Sequence, residues 1–316
     1  MILDLPDTTT SAVSKTLVTI REEGGVVALG RVLTLVIATT AGDEEDAIEA
    51  ANDASREHPM RVIVVAKDPI TGPSRLDAQI RVGGDAGASE VIILRARGEV
   101  SDDEEALVTG LLLPDAPVVA WWPAAAPDVA AASSLGRIAQ RRITDAAGQA
   151  DPCGFLDHLA ATHRPGDTDF SWTRITLWRG QLAAVLDQPP FEPVRSARVR
   201  GASDSPSTRL LAAWLALELA VPVEYDAIDP AGTGIRAVTL RREHGDVVLD
   251  RPASGPATLA QPGQPLQHLS LPRRNLRDCL AEELRSLAPD RLFTEVLTGG
   301  LPLVRRPDAA LPAAAG

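Results

Sequence analysis

Along the first half of the chain, apolar runs of strand length alternate with stretches that open on acids and carry apolar residues at helical spacing. Arg31–Ala38 (RVLTLVIA) is β-branched and almost continuously apolar, which predicts a strand buried on both faces. Asp43-Glu44-Glu45-Asp46 then opens a helix to about Glu57. Acids in a first turn complement the helix dipole, so this cluster reads as structural rather than catalytic. His58-Pro59 stops it, and Arg61–Ala66 (RVIVVA) is a second buried strand. Leu76–Val82 and Glu90–Ala96 are further strands, separated by the glycine-rich Gly83–Gly87 (GGDAG). Asp102–Glu105 repeats the acidic helix start, and Pro114–Pro117 ends that helix before the strand Val118–Trp122 (VVAWW). An alanine-rich stretch leads to Arg141–Thr144 (RRIT), the last strand of this half.

These elements make residues 1–150 an N-terminal α/β domain. Residues 151–190 read as a helical connector, with Asp151 as a cap and Pro152 in the first turn. The pattern restarts in a C-terminal α+β domain over 191–303. It has a strand at Pro193–Arg200, a helix at Pro206–Ala220, strands near 222–226, 234–242, 246–251 and 257–271, and helices near 275–287 and 290–298. Gly245 supplies the turn of a hairpin at Arg241–Asp246. Residues 304–316 read as a flexible tail. The expected fold class is α/β with an α+β tendency: two mixed-sheet domains with flanking helices, joined by the connector. The two halves share an order of elements and close on similar phrases, Thr109–Pro114 (TGLLLP) and Thr298–Pro302 (TGGLP). An internal duplication would explain this, and so would composition alone.

Charge and composition narrow the function classes. The chain has 316 residues, 31 basic against 43 acidic, and a net charge of −12. A general nucleic-acid binder needs a basic footprint, which is absent. Only Lys15 and Lys67 are lysines; the other cations are arginines, a bias that suits planar anion contacts but that a GC-rich genome also produces. Cys153 and Cys279 lie far apart, with no spacing that encodes a disulfide framework or a zinc site. The start, Met1–Asp7, lacks the basic and apolar regions of a secretory signal, and the longest uncharged stretches fall short of the roughly 20 residues of a membrane helix. The expected location is the cytoplasm.

No familiar catalytic constellation emerges. Gly83-Gly84-x-x-Gly87 is not a dinucleotide fingerprint, because a strand rather than a helix follows it. There is no P-loop and no nucleophile elbow. Cys153, Asp157, His158 and His163 form the densest set of potential ligands. At five-residue steps, however, Cys153, His158 and His163 turn about 140° apart around a helix and cannot share a metal. No metal and no cofactor is expected, and the chain leans toward a non-catalytic, binding or regulatory role.

Five phrases are the most distinctive in the chain: Asn52–Pro59 (NDASREHP), Arg75–Gly87 (RLDAQIRVGGDAG), Leu113–Pro123 (LPDAPVVAWWP), Gln140–Asp145 (QRRITD) and Pro165–Arg174 (PGDTDFSWTR). In these the sequence closely resembles the glucose-6-phosphate dehydrogenase assembly protein family, OpcA, in its actinobacterial form. The resemblance is close over about residues 1–225 and looser beyond. It implies a non-catalytic protein that binds glucose-6-phosphate dehydrogenase and promotes its active oligomeric state as an allosteric activator, in the oxidative pentose phosphate pathway. Photosynthetic relatives are tied to thiol redox control, which here would require Cys153 and Cys279 to meet.

Two Trp-bearing motifs supply a candidate contact set for that partner: Trp121, Trp122, Asp167, Asp169, Trp172, Arg174 and Arg179. Asp169 or Ser171 is placed to cap a helix through Leu186. On that helix Trp172 and Arg179 sit together at the edge of an apolar stripe, consistent either with core packing or with a rim offered to a partner. For Trp121-Trp122 the other reading is a strand end with one ring inside and one outside. A second functional class is a sugar-phosphate-binding protein or an enzyme with a dispersed active site, with Arg141, Arg142 and nearby backbone amides as the phosphate cradle.

Overall fold

A computed structural model of the chain describes residues 1–24, 31–70, 72–83, 90–228 and 234–304. It divides into two compact units, each assembled from separate stretches of chain. The first contains Met1–Gly148, Arg164–Phe170 and Arg274–Pro289; the second contains Gln149–His163, Ser171–Arg273 and the chain from Asp290 onward. The sequence reading instead placed a boundary at 150 and a connector over 151–190. Among the described residues, no helix is long and apolar enough to cross a membrane.

In chain order the elements begin with β1 (Ile2–Leu5), α1 (Thr10–Gly24), β2 (Leu33–Thr40), α2 (Glu45–Ala54), β3 (Met60–Lys67), β4 (Arg75–Arg81) and β5 (Glu90–Arg97). They continue with α3 (Glu104–Thr109), β6 (Val118–Trp121), α4 (Ser134–Ile138), β7 (Arg141–Thr144), α5 (Pro152–Thr162), β8 (Asp167–Asp169), the helical turn α6 (Phe170–Thr173) and α7 (Thr176–Leu186). The remainder are β9 (Ser196–Ala202), α8 (Pro206–Leu219), β10 (Val223–Ile228), β11 (Ile235–Arg241), β12 (Val247–Asp250), β13 (Ala257–Ala260), β14 (Gln267–Leu269), α9 (Leu276–Glu283) and α10 (Arg291–Glu295).

The first unit is built on an eight-stranded sheet in the order β1-β4-β5-β3-β2-β6-β7-β8. Strands β5, β3, β2, β6, β7 and β8 are all parallel, and β4 and β1 close one edge antiparallel. The parallel strands carry the near-continuous apolar runs because both faces are covered. Val36, Ile63, Ile92, Ala120 and Trp122 pack on one side with Val13 and Leu17 of α1. Leu35, Val62, Ile93, Val119 and Trp121 pack on the other with α2 and with Cys279, Leu280 and Leu284 of the α9 region. Helix α9 is further tied to the α2 region by Arg277–Asp53 at 2.9 Å and by His58 Nε2 and the Ala281 carbonyl at 3.2 Å. Strand β1 and helix α1 were not read from the sequence.

The second unit holds a six-stranded sheet, β10-β9-β11-β12-β13-β14, in which only the β9–β10 pair is parallel. Its apolar face (Val199, Val238, Leu249, Leu259) is covered by α8, which is capped by Ser205 as its Oγ accepts the Thr208 N–H at 3.2 Å. The two sheets therefore differ in topology, and the shared order of elements is not a shared fold. Residues 257–271, read as one strand, form the pair β13 and β14. The glycine-rich turn lies beyond Gly83 in residues outside those described, as does the tail from 305.

Candidate functional site

The parallel strands of the first unit follow the doubly wound order, with β2 first, β3 and β5 added to one side, and β6, β7 and β8 to the other. In such sheets the chain reverses direction of winding between the first strand and its neighbour, here β2 and β6. A ligand crevice lies beyond their carboxyl ends, where a helix N-terminus offers its N–H groups to phosphate. That crevice is where the fold would place a dinucleotide, so its residues decide what it can do.

Those residues are acidic. Strand β2 ends at Thr40, the chain turns through Gly42 at φ 101°, and Asp43, Glu44, Glu45 and Asp46 lead into α2. The Glu44 carboxylate, 3% exposed, folds back so that its Oε2 accepts the Gly42 N–H at 2.5 Å. Its Oε1 receives Arg95 from β5 at 2.6–2.8 Å. The chain's own carboxylate thus occupies the place of an incoming anion, and the three acids beside it would repel a pyrophosphate. The residues do not fit a dinucleotide.

Next to it, Glu45 is held by both Nη atoms of Arg81 at 2.6 and 2.9 Å. This hydrogen bonding lowers the Glu45 pKa below the ordinary carboxylate value. The pair's contribution is therefore present at neutral pH and lost as acid protonates the group. Glu45→Gln should cost less than about 1 kcal/mol at pH 7, because the carboxylate is largely exposed, and less at pH 3, where acid begins to protonate the group. Urea midpoints at the two pH values check this, and an equal cost at both would remove the ion pair as the cause.

The structure scatters the candidate contact set between the two units and buries most of it. Trp121 is 0% and Trp122 3% exposed. Their side chains enter opposite faces of the first sheet, Trp121 lying 5.4 Å from the Phe170 ring. Neither ring is left outside, because both sheet faces are covered. Asp167 and Asp169, 4% and 0% exposed, lie in β8. Asp167 pairs with Arg142 and accepts the Arg164 N–H; Asp169 Oδ2 accepts Thr144 Oγ1 at 2.7 Å and the Ala146 N–H at 2.8 Å. The expected single helix is broken at Arg174–Ile175 into α6 and α7.

Trp172 is 2% exposed in the second unit, with the Arg179 guanidinium 3.6 Å from its ring centroid. The contact set reduces to Arg174 and Arg179, its half-buried members. The proposed phosphate cradle is also spent. Arg141 pairs with Glu283 and donates to the Ala288 carbonyl at 2.8 Å, while Arg142 pairs with Asp167 and donates to the carbonyls of Ala139 and Pro165. Both arginines are under 10% exposed and neutralised from within.

Of the cysteines, Cys279 is fully buried in the first core and Cys153 lies half-buried on α5 of the second unit; neither is in a disulfide. Among the described residues, no group of three His, Cys, Asp or Glu side chains is placed to hold a metal.

Comparison with known proteins adds what this geometry does not carry. Residues 51–161 match the family model described as the glucose-6-phosphate dehydrogenase subunit N-terminal domain, OpcA_G6PD_assem. Residues 165–297 match that of the subunit's C-terminal domain, OpcA_G6PD_C. The chain belongs to the OpcA family. The two matches span residues 51–297, beside a resemblance read from the sequence as close over about residues 1–225 and looser beyond. No curated protein matches the chain. Among solved structures, the chain is similar to a 3-ketoreductase from Actinomadura kijaniata, with 12% identity, TM-score 0.48, and 86% of this chain and 96% of the other covered. It is also similar to glucose-6-phosphate 1-dehydrogenase from Mycobacterium avium, with 12% identity, TM-score 0.42, and 87% and 92% coverage. In this OpcA chain the acidic turn at Glu44 is structural, as its sequence implied; the partner, Arg95 of β5, is what the sequence did not reveal.

Proposed function

We propose that this chain is a non-catalytic assembly factor and allosteric activator that binds glucose-6-phosphate dehydrogenase and favours its active oligomeric state, in the cytoplasm and within the oxidative pentose phosphate pathway. The observation that carries this reading is the pair of family models, each described as a domain of a glucose-6-phosphate dehydrogenase subunit, spread over residues 51–297. The chemistry at Glu44 supports it, since the crevice is filled by the chain's own ion pair. An activator shifts its partner only by binding the competent state more tightly, and a coupling of about 1–3 kcal/mol gives roughly a 5- to 150-fold effect. The interface should bury on the order of 1,200 Å² or more.

The test mixes the purified chain with the dehydrogenase of the same organism. Co-elution in a larger species, with a dehydrogenase rate at least about fivefold above that of the enzyme alone, is the expected result. Separate elution together with an unchanged rate would sink the reading. The sugar-phosphate reading through Arg141 and Arg142 is disfavoured, because both guanidinium groups are committed to buried carboxylates.

A further inference from the structure

The second unit carries a cavity of about 480 Å³ between the segment joining β12 to β13 and the segment that follows β14. That volume lies within the roughly 300–1,000 Å³ of small-molecule sites. Its polar lining is Arg251, His268, Ser270 and Arg273, with proline and leucine side chains forming the rest of the wall. In a chain with a net charge of −12, no aspartate or glutamate lines this cavity.

Arg251 is half-buried; its Nη2 donates to the Ile235 carbonyl at 2.9 Å, and its guanidinium lies 5.1 Å from the centre of the Trp178 ring. Among the described residues no carboxylate pairs with it. Burial, and then the charge of Arg273, push the Arg251 guanidinium down to about 10. Arg273 is lowered in turn by burial and by Arg236, whose own carboxylate partner is Asp250 at 3.5 Å. Arg251, a half-buried cation with no carboxylate beside it and a like charge at the cavity wall, is a group that an anion would relieve.

We propose that this cavity binds the phosphate group of a small phosphorylated metabolite, with Arg251 and Arg273 on the phosphate oxygens and Ser270 and His268 at the rim. Two guanidinium forks, a hydroxyl and an imidazole supply more donors than the two oxygens of a carboxylate can use, and they suit the three terminal oxygens of a phosphate ester. The apolar wall is left for the body of the ligand. This inference does not depend on the dehydrogenase reading, because it concerns the chain alone.

The experiment is isothermal titration of the whole chain, without any dehydrogenase, with glucose 6-phosphate, inorganic phosphate and glucose at constant ionic strength. Saturable one-site binding of glucose 6-phosphate, weaker binding of inorganic phosphate and none of glucose is expected. Arg273→Gln and Ser270→Glu change exposed positions and should stay folded by circular dichroism. Each should weaken the phosphate ester at least about tenfold, the effect of losing or neutralising one charge-assisted hydrogen bond. No saturation by either phosphate compound up to roughly 10 mM, tenfold beyond a weak millimolar affinity, would overturn the proposal. So would wild-type affinity in both folded variants.

Discussion

Glu90→Gln should destabilise the first unit by about 3–5 kcal/mol, the cost of leaving buried cations without their counter-charge. Glu90, 1% exposed at the start of β5, is, among the described residues, the one carboxylate paired with Arg21, Arg31 and Arg61. Arg61 donates Nε to it at 2.7 Å and spends Nη1 on the Leu111 carbonyl at 2.5 Å. Arg21 and Arg31 approach to 3.0 and 3.2 Å. The Arg31 pKa is already lowered by burial, with Glu90 opposing that shift and Arg21 adding to it. A neutral amide would keep the shape and remove the negative charge that draws the three cations together. Urea unfolding followed by circular dichroism should show a lower midpoint. The double variant Glu90→Gln/Arg61→Met should recover part of the loss, because it removes the most buried of the three cations. A single variant within about 1 kcal/mol of wild type would mean that the cluster is not what holds this end of the sheet.

Trp172→Ala should cost the second unit a similar amount, about 3–5 kcal/mol, as a large side chain leaves a packed core. The ring meets the Arg179 guanidinium, 3.6 Å from its centroid, and Phe293, whose centroid is 5.7 Å away. Its Nε1 donates to Asp290 Oδ2 at 2.8 Å, while Asp290 Oδ1 accepts the Phe293 N–H at 3.0 Å and so caps α10. Removing the indole therefore also leaves the capping carboxylate with one partner fewer. Trp172→Phe keeps most of the apolar volume and loses the N–H, so it should cost about 1–3 kcal/mol. Thermal unfolding of the two variants gives the order; a phenylalanine variant as damaged as the alanine one would assign the stability to the hydrogen bond rather than to the ring. Any test of partner binding at this motif belongs at Arg179 or Arg174, since loss of Trp172 would act through the fold.

The strands of the first sheet were legible because burial on both faces leaves unbroken apolar runs such as Arg61–Ala66, a pattern that needs no knowledge of the partner strands. The helix start at Asp151 was legible for the same local reason: a cap acts within three residues. What local pattern cannot convey is the partner. Glu44 and Arg95 are 51 residues apart, and Arg141 and Glu283 are 142 apart, so the acids read only as helix starts and the arginines only as a basic pair. The tryptophans were ambiguous for a different reason. Large aromatic side chains are favoured both in interface hot spots and in cores, and nothing in VVAWW or DFSWT distinguishes the two.

The return of residues 274–289 to the first unit has a consequence for how the protein is made. Helix α9 supplies Leu280 to one face of the first sheet and Glu283 to Arg141 of β7, yet it follows nearly the whole of the second unit in the chain. On the ribosome, the first unit cannot complete its core until residue 289 has emerged. Until then that face, with Val62, Ile93 and Trp121, lacks part of its cover. Such contacts of long sequence separation slow folding and prolong the exposure of apolar surface. Cutting the chain near residue 150 would make that exposure permanent, so a fragment ending there should aggregate where the whole chain does not.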